Sequence, residues 1–305
     1  MSAPSPAPTV SVYLPTRNRA HLVGRAIDSV LAQDFRDFEL LVVDDASTDA
    51  TPEVVAAIAR KDPRVRRYRL EQQGGAPAAR NVALRAATGR FATGIDDDDE
   101  MLPHRLSSLL QAWDERYAFV CSGTLLHTGE WRRPARTSHK VITLADELHG
   151  DQAGTQVLTL TARLREVGLF DESMPAWQDY DLWTRLIERH GPALRIAEPS
   201  YLQRVEPGTT RISERGAEGA RRYIDKHRHR MSLDQLARQE LERYMLQRDR
   251  MTLAAASRFP TRRTWPVVAR YWVTSNLPVL RRVAERFRRW RWPPQRLSVP
   301  RERHD

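Results

Sequence analysis

The chain has 305 residues, 49 basic against 39 acidic side chains, one cysteine and 41% hydrophobic content. Such a length makes one large domain, or a domain with an appendage, and the apolar content is ample for a core, so a chain disordered throughout is excluded. The lone Cys121 excludes a disulfide scaffold and a cysteine-based zinc site and fits a reducing, cytosolic compartment.

Residues 1–8 are rich in Ser, Ala and Pro and read as a flexible N-terminal tail without the pattern of a signal peptide. Val10–Leu14, Glu39–Val43, Val65–Leu70 and Phe91–Ile95 are short β-branched or aromatic runs that read as strands. Between them, apolar residues three or four apart predict helices around Leu22–Leu31, Val54–Ile58 and Ala78–Ala86. This alternation implies an α/β fold with a mostly parallel sheet covered on both faces. Pro103 opens a predicted helix through Trp113, followed by an apolar run at Tyr117–Cys121. From 126 to 213 the pattern is less regular, with a strand at Gln156–Leu160, a short helix at Thr161–Val167 and an amphipathic helix at Tyr180–Arg189. Beyond 214 the chain reads as helical, broken by Pro260, Pro266, Pro278 and Pro293-Pro294. No run of 18 uncharged apolar residues occurs, so no membrane span is expected.

Three loops carry the chemistry. Ile95 is followed by Asp96, Asp97, Asp98, Asp99 and Glu100, five carboxylates at the carboxyl end of a predicted strand, where open α/β sheets bind ligands. Adjacent like charges raise one another's pKa, a conflict that a hard divalent cation, Mg²⁺ or Mn²⁺, relieves while sharing oxygens with a diphosphate. A solvated turn with acids leading into the next helix covers one or two of these residues, not four aspartates after a buried strand. After the first strand come Pro15, Thr16, Arg17, Asn18 and Arg19, with no glycine until Gly24, which disfavours a dinucleotide fingerprint. After the second, Asp45 is a candidate acceptor of hydrogen bonds from a base or ribose, and Asp49 reads as a helix cap.

The segments Val10–Arg19, Ser29–Phe35, Phe38–Asp49, Gly75–Asn81 and Ala87–Phe91 leading into Asp96–Asp99 resemble those of family-two glycosyltransferases, in order over residues 9–215. The resemblance implies a GT-A (Rossmann-like) fold, with a nucleotide-binding half at 9–125, an acceptor half at 126–215 and a C-terminal helical extension at 216–305. It further implies a nucleotide-diphosphate-sugar donor of UDP or GDP type, a divalent metal, inversion at the anomeric carbon and a glycan or lipid-linked acceptor in surface polysaccharide or lipopolysaccharide biosynthesis. Carried onto this chain, it assigns Thr16, Arg17, Asp45, Arg80 and Asp97 to the donor nucleotide and Asp96 and Asp98 to the metal. The run of four aspartates leaves the register between Asp97 and Asp98 open.

Inverting transfer needs one carboxylate at the acceptor hydroxyl, apart from the metal site. Where similar proteins have Glu-Asp before an amphipathic helix, this chain has Gln178 and Asp179, which makes Asp179 the expected base; Asp181 reads as a cap or salt bridge. Trp177 either stacks on a sugar or packs inward. Arg204–Ser213 resembles a loop that often carries a His, with Glu206 in that place. Either the metal shell differs or Arg204 and Arg211 meet the phosphates. His227 and His229 read as part of a solvated basic helix.

Net charge is +10, but residues 261–305 hold twelve arginines against Glu285, Glu302 and Asp305, so that the body balances to +1. Nucleic acid is therefore disfavoured as a partner. Arginines mixed with Trp265, Tyr271, Trp272, Phe287, Trp290 and Trp292 have the composition of a segment lying on a membrane surface, or of helices packed on the body. The expected location is cytoplasmic, with contact at the inner face of the membrane through residues 261–305. Two rival readings are a sugar-1-phosphate nucleotidyltransferase, whose Gly-rich loop Pro15–Arg19 lacks, and a non-catalytic membrane- or RNA-binding protein.

Overall fold

The computed structural model describes residues 7–128, 131–154, 156–204, 214–247, 250–259, 261, 264–277 and 295–296. Strands β1 (Val10–Thr16), β2 (Phe38–Asp44), β3 (Val65–Arg69) and β4 (Phe91–Gly94) pair in parallel and are linked by α1 (Val23–Leu31), α2 (Thr51–Ala59) and α3 (Gly75–Ala86). Every residue of β1 and β2 is buried, because helices cover both faces of the sheet. Side chains alternate between two cores: Val10, Val12, Leu14, Leu40 and Val42 face α1 and α2, whereas Tyr13, Leu41 and Val43 pack with Ala79 and Ala83 of α3.

The spatial order β3-β2-β1-β4 places the reversal of strand order between β1 and β4, with a two-residue β9 (Thr159–Leu160) antiparallel on the outer edge. A crevice opens at such a reversal, outside the carboxyl ends of the strands. Thr16 ends β1 there, and the acidic run follows β4.

A second, mixed sheet was not foreseen from the sequence. Its centre is the parallel pair β6 (Val120–Thr128) and β10 (Ala193–Arg204), extended antiparallel by β5 (Glu100–Met101), β7 (Trp131–Ala135) and β8 (Lys140–Ile142). β10 hides from a period-two reading because its register shifts between Ile196 and Tyr201, around Pro199. The expected strand at Gln156–Leu160 is ladder-paired only in β9. Upstream, Leu158 makes a single bridge to Val120, and Gln156 turns its side chain to Tyr13 and Asp96.

Four helices complete the body: α4 (Arg105–Gln111), α5 (Leu144–His149), α6 (Thr161–Glu166) and α7 (Gln178–His190). The expected helix at Pro103–Trp113 is shorter at both ends, its entry taken up by a turn in which the Pro103 carbonyl accepts from the Asp34 N–H. C-terminal to these, α8 (Glu214–His227) packs on α7 and straddles the expected boundary at 215/216. Three further helices, α9 (Leu233–Leu246), α10 (Leu253–Ala256) and α11 (Trp265–Asn276), share a small core of Leu241, Met251, Phe259 and Val268. Tyr271 and Trp272 pack onto this core, while Trp265 is exposed. Phe287, Trp290, Trp292 and most of the tail's arginines lie outside the described residues. Among the described residues, no helix is long and apolar enough to cross a membrane.

Candidate active site

The loops after β1 and β2 are laced together by their own polar side chains. Asn18, in the left-handed region at φ 52, donates its N–H to Ser47 Oγ at 2.9 Å and accepts the Thr48 N–H at 2.8 Å. Asn tolerates that conformation because its short side chain bonds locally. Thr16 is buried, and Arg17 stands exposed on the same loop. Asp45 is buried, and its two oxygens accept the Gly74 and Gly75 N–H groups at 2.7 and 2.9 Å, at the start of α3. The carboxylate thus caps a helix in space, with lone pairs left for a further donor. Asp49 acts as expected at the start of α2, accepting the Thr51 N–H at 3.0 Å.

Tertiary contacts divide the acidic run. Asp99 is fully buried and turns into the second sheet, accepting the Tyr201 hydroxyl at 3.0 Å and the Arg204 N–H at 2.9 Å. Glu100 pairs with Arg25 at 3.2 Å and with Arg204. Asp96, Asp97 and Asp98 are half-buried. Burial, with the neighbouring Asp98 and Asp96 charges, pushes the Asp97 carboxyl up to about 6, against the opposing pull of the Thr16 hydroxyl and Arg19. Arg204 is engaged with Glu100, while Glu206 and Arg211 lie outside the described residues.

The centre of the site is Arg80 on α3. It is 4% exposed, and its guanidinium reaches Asp96 Oδ1 at 2.7 Å and Asp179 Oδ1 at 3.1 Å, with its carbon 5.2 Å from the centre of the Phe170 ring. Burial opposes its charge, but Asp179 and Asp96 hold its pKa above the ordinary value. Asp179 lies in the first turn of α7, and burial pushes it up to about 7; Arg80 pulls it down, and Asp96 and Asp151 push it further up. A carboxylate poised there exchanges a proton readily near neutrality.

Asp181 has a different fate. It is fully buried and bonded to Arg185 at 2.9 Å, Lys226 at 3.0 Å and His227 Nε2 at 2.8 Å, which hold its pKa below the usual range despite burial. The expectation of a solvated His227 is therefore corrected: it is 1% exposed because Asp181 needs a buried partner. His229 lies in the short turn beyond α8, beside Arg230. Trp177 packs against Tyr180 and Tyr223 at ring separations of 5.5 and 5.7 Å.

Sequence reasoning missed the residues behind Asp96. The Tyr13 hydroxyl donates to Gln156 Oε1 at 3.2 Å, and Gln156 Nε2 donates to Asp96 Oδ1 at 3.3 Å. Gly94 makes this approach possible, since a Cβ there would lie 2.1 Å from Gln156 Oε1 and 2.2 Å from the Tyr13 ring. Arg105, 1% exposed, donates to the Gln156 carbonyl at 3.1 Å and to Ser122 and Ser200. A tyrosine breaking an aliphatic strand was the only local signal; Gln156 and Arg105 had none.

The acids suit a hard cation. Asp96 has one oxygen turned to Arg80 and Gln156, and Asp97 and Asp98 follow it in a half-buried loop where the Asp98 and Asp96 charges add to burial in raising the Asp97 pKa. Among the described residues, no group of three or more His, Cys, Asp or Glu side chains could hold a metal ion by itself. A cation there would complete its shell with diphosphate and water oxygens, as Mg²⁺ and Mn²⁺ commonly do.

Comparisons with known proteins bear on the family and the fold. The family described as Glycosyl transferase family 2 matches residues 11–172. A putative colanic acid biosynthesis glycosyl transferase of Escherichia coli, WcaA, is 32% identical over 258 residues, covering 80% of this chain and 90% of its own. A Campylobacter jejuni GalNAc(5)-diNAcBac-PP-undecaprenol beta-1,3-glucosyltransferase is 42% identical over 121 residues, covering 39% of each chain. Among solved structures, Staphylococcus aureus TarS 1-349 in complex with UDP-GlcNAc superposes with a TM-score of 0.63 at 20% identity, over 88% of this chain and 79% of that one. The Pyrobaculum calidifontis mannosyltransferase PcManGT, in complex with GDP-Man and Mn²⁺, has a TM-score of 0.59 at 20% identity, over 95% of this chain and 82% of that one. At such identities the likeness establishes the fold, the GT-A arrangement.

Proposed function

This chain belongs to glycosyl transferase family 2, and from that premise we propose a metal-dependent, inverting transferase that moves a sugar from a UDP- or GDP-linked donor to a glycan or lipid-linked acceptor. The observation that carries the reading is the pairing of Asp179 with Asp96 through Arg80. In this reading Asp179 serves the acceptor side, joined to the acidic run through Arg80 yet not part of it. Retention through a covalent intermediate requires a second carboxylate as nucleophile. Asp181, two residues on in the same helix, is fully buried and held by Arg185, Lys226 and His227, so it is not free to act as that nucleophile.

In this mechanism Thr16, Arg17, Asp45 and Asp97 hold the nucleotide at the end of the parallel sheet. A divalent cation held by Asp96 and Asp98 would neutralise charge developing on the diphosphate leaving group. Arg80 keeps Asp179 ionised at the moment of attack. Asp179 accepts the proton of the acceptor hydroxyl as its oxygen bonds to the anomeric carbon and the diphosphate departs.

The relatives' names support polysaccharide or lipid-linked oligosaccharide synthesis as the setting. A cytoplasmic enzyme meeting its acceptor at the inner membrane face agrees with twelve arginines against three acids in residues 261–305. The test is a panel of UDP- and GDP-sugars with and without Mn²⁺, read as nucleotide release and thermal stabilisation. Ligand at about 100 times its dissociation constant stabilises by about 2.7 kcal/mol, so Mn²⁺ and the right nucleotide together should raise the melting temperature by several degrees. No stabilisation and no nucleotide release across the panel would refute the reading.

A further inference from the structure

Helix α8 lays one face along the segment that carries Asp179. Gly219, Arg222, Tyr223, Lys226 and His227 recur at the three- and four-residue spacing that aligns side chains on one side of a helix. Arg222 donates to the Ser173 carbonyl at 2.5 Å, and Lys226 Nζ reaches Asp171 at 2.8 Å and Asp181 at 3.0 Å. The Tyr223 ring stacks on Tyr180 at 4.1 Å and lies 5.7 Å from Trp177, and His227 bonds Asp181 at 2.8 Å. Gly219 abuts Ala176, where a Cβ would meet the carbonyl oxygen at 2.6 Å and the carbonyl carbon at 2.8 Å. These contacts run from residue 171 to 181 and bracket Asp179 on both sides.

Between them stands a strained residue. Trp177 has φ 64 and ψ 15, left-handed backbone that a bulky side chain keeps only when its surroundings over-determine it. The Tyr223 ring packs on Trp177 itself, and Gly219 lies against the carbonyl of Ala176, the residue just before it. Two residues beyond the base, Asp181 takes two of its three side-chain partners, Lys226 and His227, from α8, and a buried carboxylate stripped of such partners does not stay in place.

We infer that α8 positions the base: its inner face holds the left-handed turn at Trp177 and the buried Asp181, and so aims Asp179 at Arg80. Gly219 and Lys226 are then positioning residues for transfer, although the family match ends at residue 172. The inference rests on Asp179 serving as the base.

The test uses the full chain labelled with 5-fluorotryptophan, in wild-type, Lys226→Met, Lys226→Arg and Gly219→Ala forms. Fluorine NMR reports on Trp177, whose resonance is identified by its loss in Trp177→Phe. Nucleotide release from UDP-glucose and GDP-mannose with Mn²⁺ supplies kcat and donor KM. In Lys226→Met the Trp177 resonance should shift, and kcat should fall about 10- to 100-fold with donor KM within about twofold, the scale expected when a reacting group is misplaced. Lys226→Arg should restore both, and Gly219→Ala should reproduce the loss should Lys226→Met fail to fold. A folded variant with an unmoved resonance, a moved resonance with unchanged kcat, or a loss lying wholly in donor KM would each overturn the inference. If the wild-type chain releases no nucleotide from either sugar, the base assignment loses its support, while the Trp177 resonance still decides whether α8 holds the turn.

Discussion

Replacing Arg80 by Gln should move the acid limb of the pH–rate profile to higher pH. The guanidinium lies 3.1 Å from Asp179 and is 4% exposed, so it is the nearest compensation for a carboxylate that burial has already raised to about 7. At an effective dielectric of about 20 and a charge separation of about 4 Å, the attraction is about 4 kcal/mol, or about 3 pKa units. Asp179 retains 21% side-chain exposure, and solvent screening and relaxation reduce the effect to about 1–2 units. The sign follows from what remains: burial and the Asp96 charge both favour the protonated form, which cannot accept the hydroxyl proton. At pH 7 the rate should fall about 5- to 50-fold and recover as pH rises, the midpoint of the limb moving by about 1–2 units. Arg80→Lys, which keeps the charge but cannot span both carboxylates, should fall between. The assay is nucleotide release at saturating donor across about pH 5.5–9.5, so that any change in donor binding through Asp96 is kept out of the comparison. An acid limb that stays put, or moves to lower pH, would refute the reasoning.

Asp179→Asn should remove proton acceptance, lowering transfer by about 100- to 10,000-fold while the nucleotide still binds, as titration calorimetry with UDP or GDP and Mn²⁺ would show. Loss of nucleotide affinity instead would mean that its role lies with the donor. Asp98→Asn should abolish the extra thermal stabilisation that Mn²⁺ adds to nucleotide, read as the difference between melting temperatures with and without Mn²⁺ in the same variant. Glu147 is fully buried, with Oε1 lacking a hydrogen bond and Oε2 accepting the Gln152 N–H at 3.1 Å, and burial raises its pKa well above 4.5. An acid raised in the folded state contributes stability that is present below its unfolded pKa and is lost as pH rises toward the folded one. Glu147→Gln should therefore flatten the decline in stability from mildly acidic to neutral pH, measured by urea unfolding at several pH values; an unchanged slope would show the group to be ionised when folded.

Much of the first, parallel sheet was legible because its elements are locally coherent. β1 to β4 show their period or their apolar run within five to seven residues, and the acidic run announces itself as the chain leaves a buried strand. The second sheet was not legible: β10 shifts register around Pro199, and β5 is two residues long, formed because Met101 lies opposite Tyr201. The basic, aromatic tail could be read only as composition, and α11 shows part of its aromatic content, Tyr271 and Trp272, turned inward on Met251, Phe259 and Val268.

Local order along the chain sufficed for the family, the parallel sheet, the place of the acids at its rim and the candidacy of Asp179, because motif spacing and side-chain periodicity are properties of neighbouring residues. Five consecutive carboxylates look alike in a sequence, and only folding separates Asp99 and Glu100, tied to Tyr201, Arg25 and Arg204, from Asp96, Asp97 and Asp98. Folding likewise distinguishes Asp179, joined to Asp96 by Arg80, from Asp181, held by Arg185, Lys226 and His227. Those partners lie as many as 105 residues apart, and which of them meet is decided by where the two sheets and α8 bring them into a shared low-dielectric interior. There an unpaired charge is costly enough to select its neighbour.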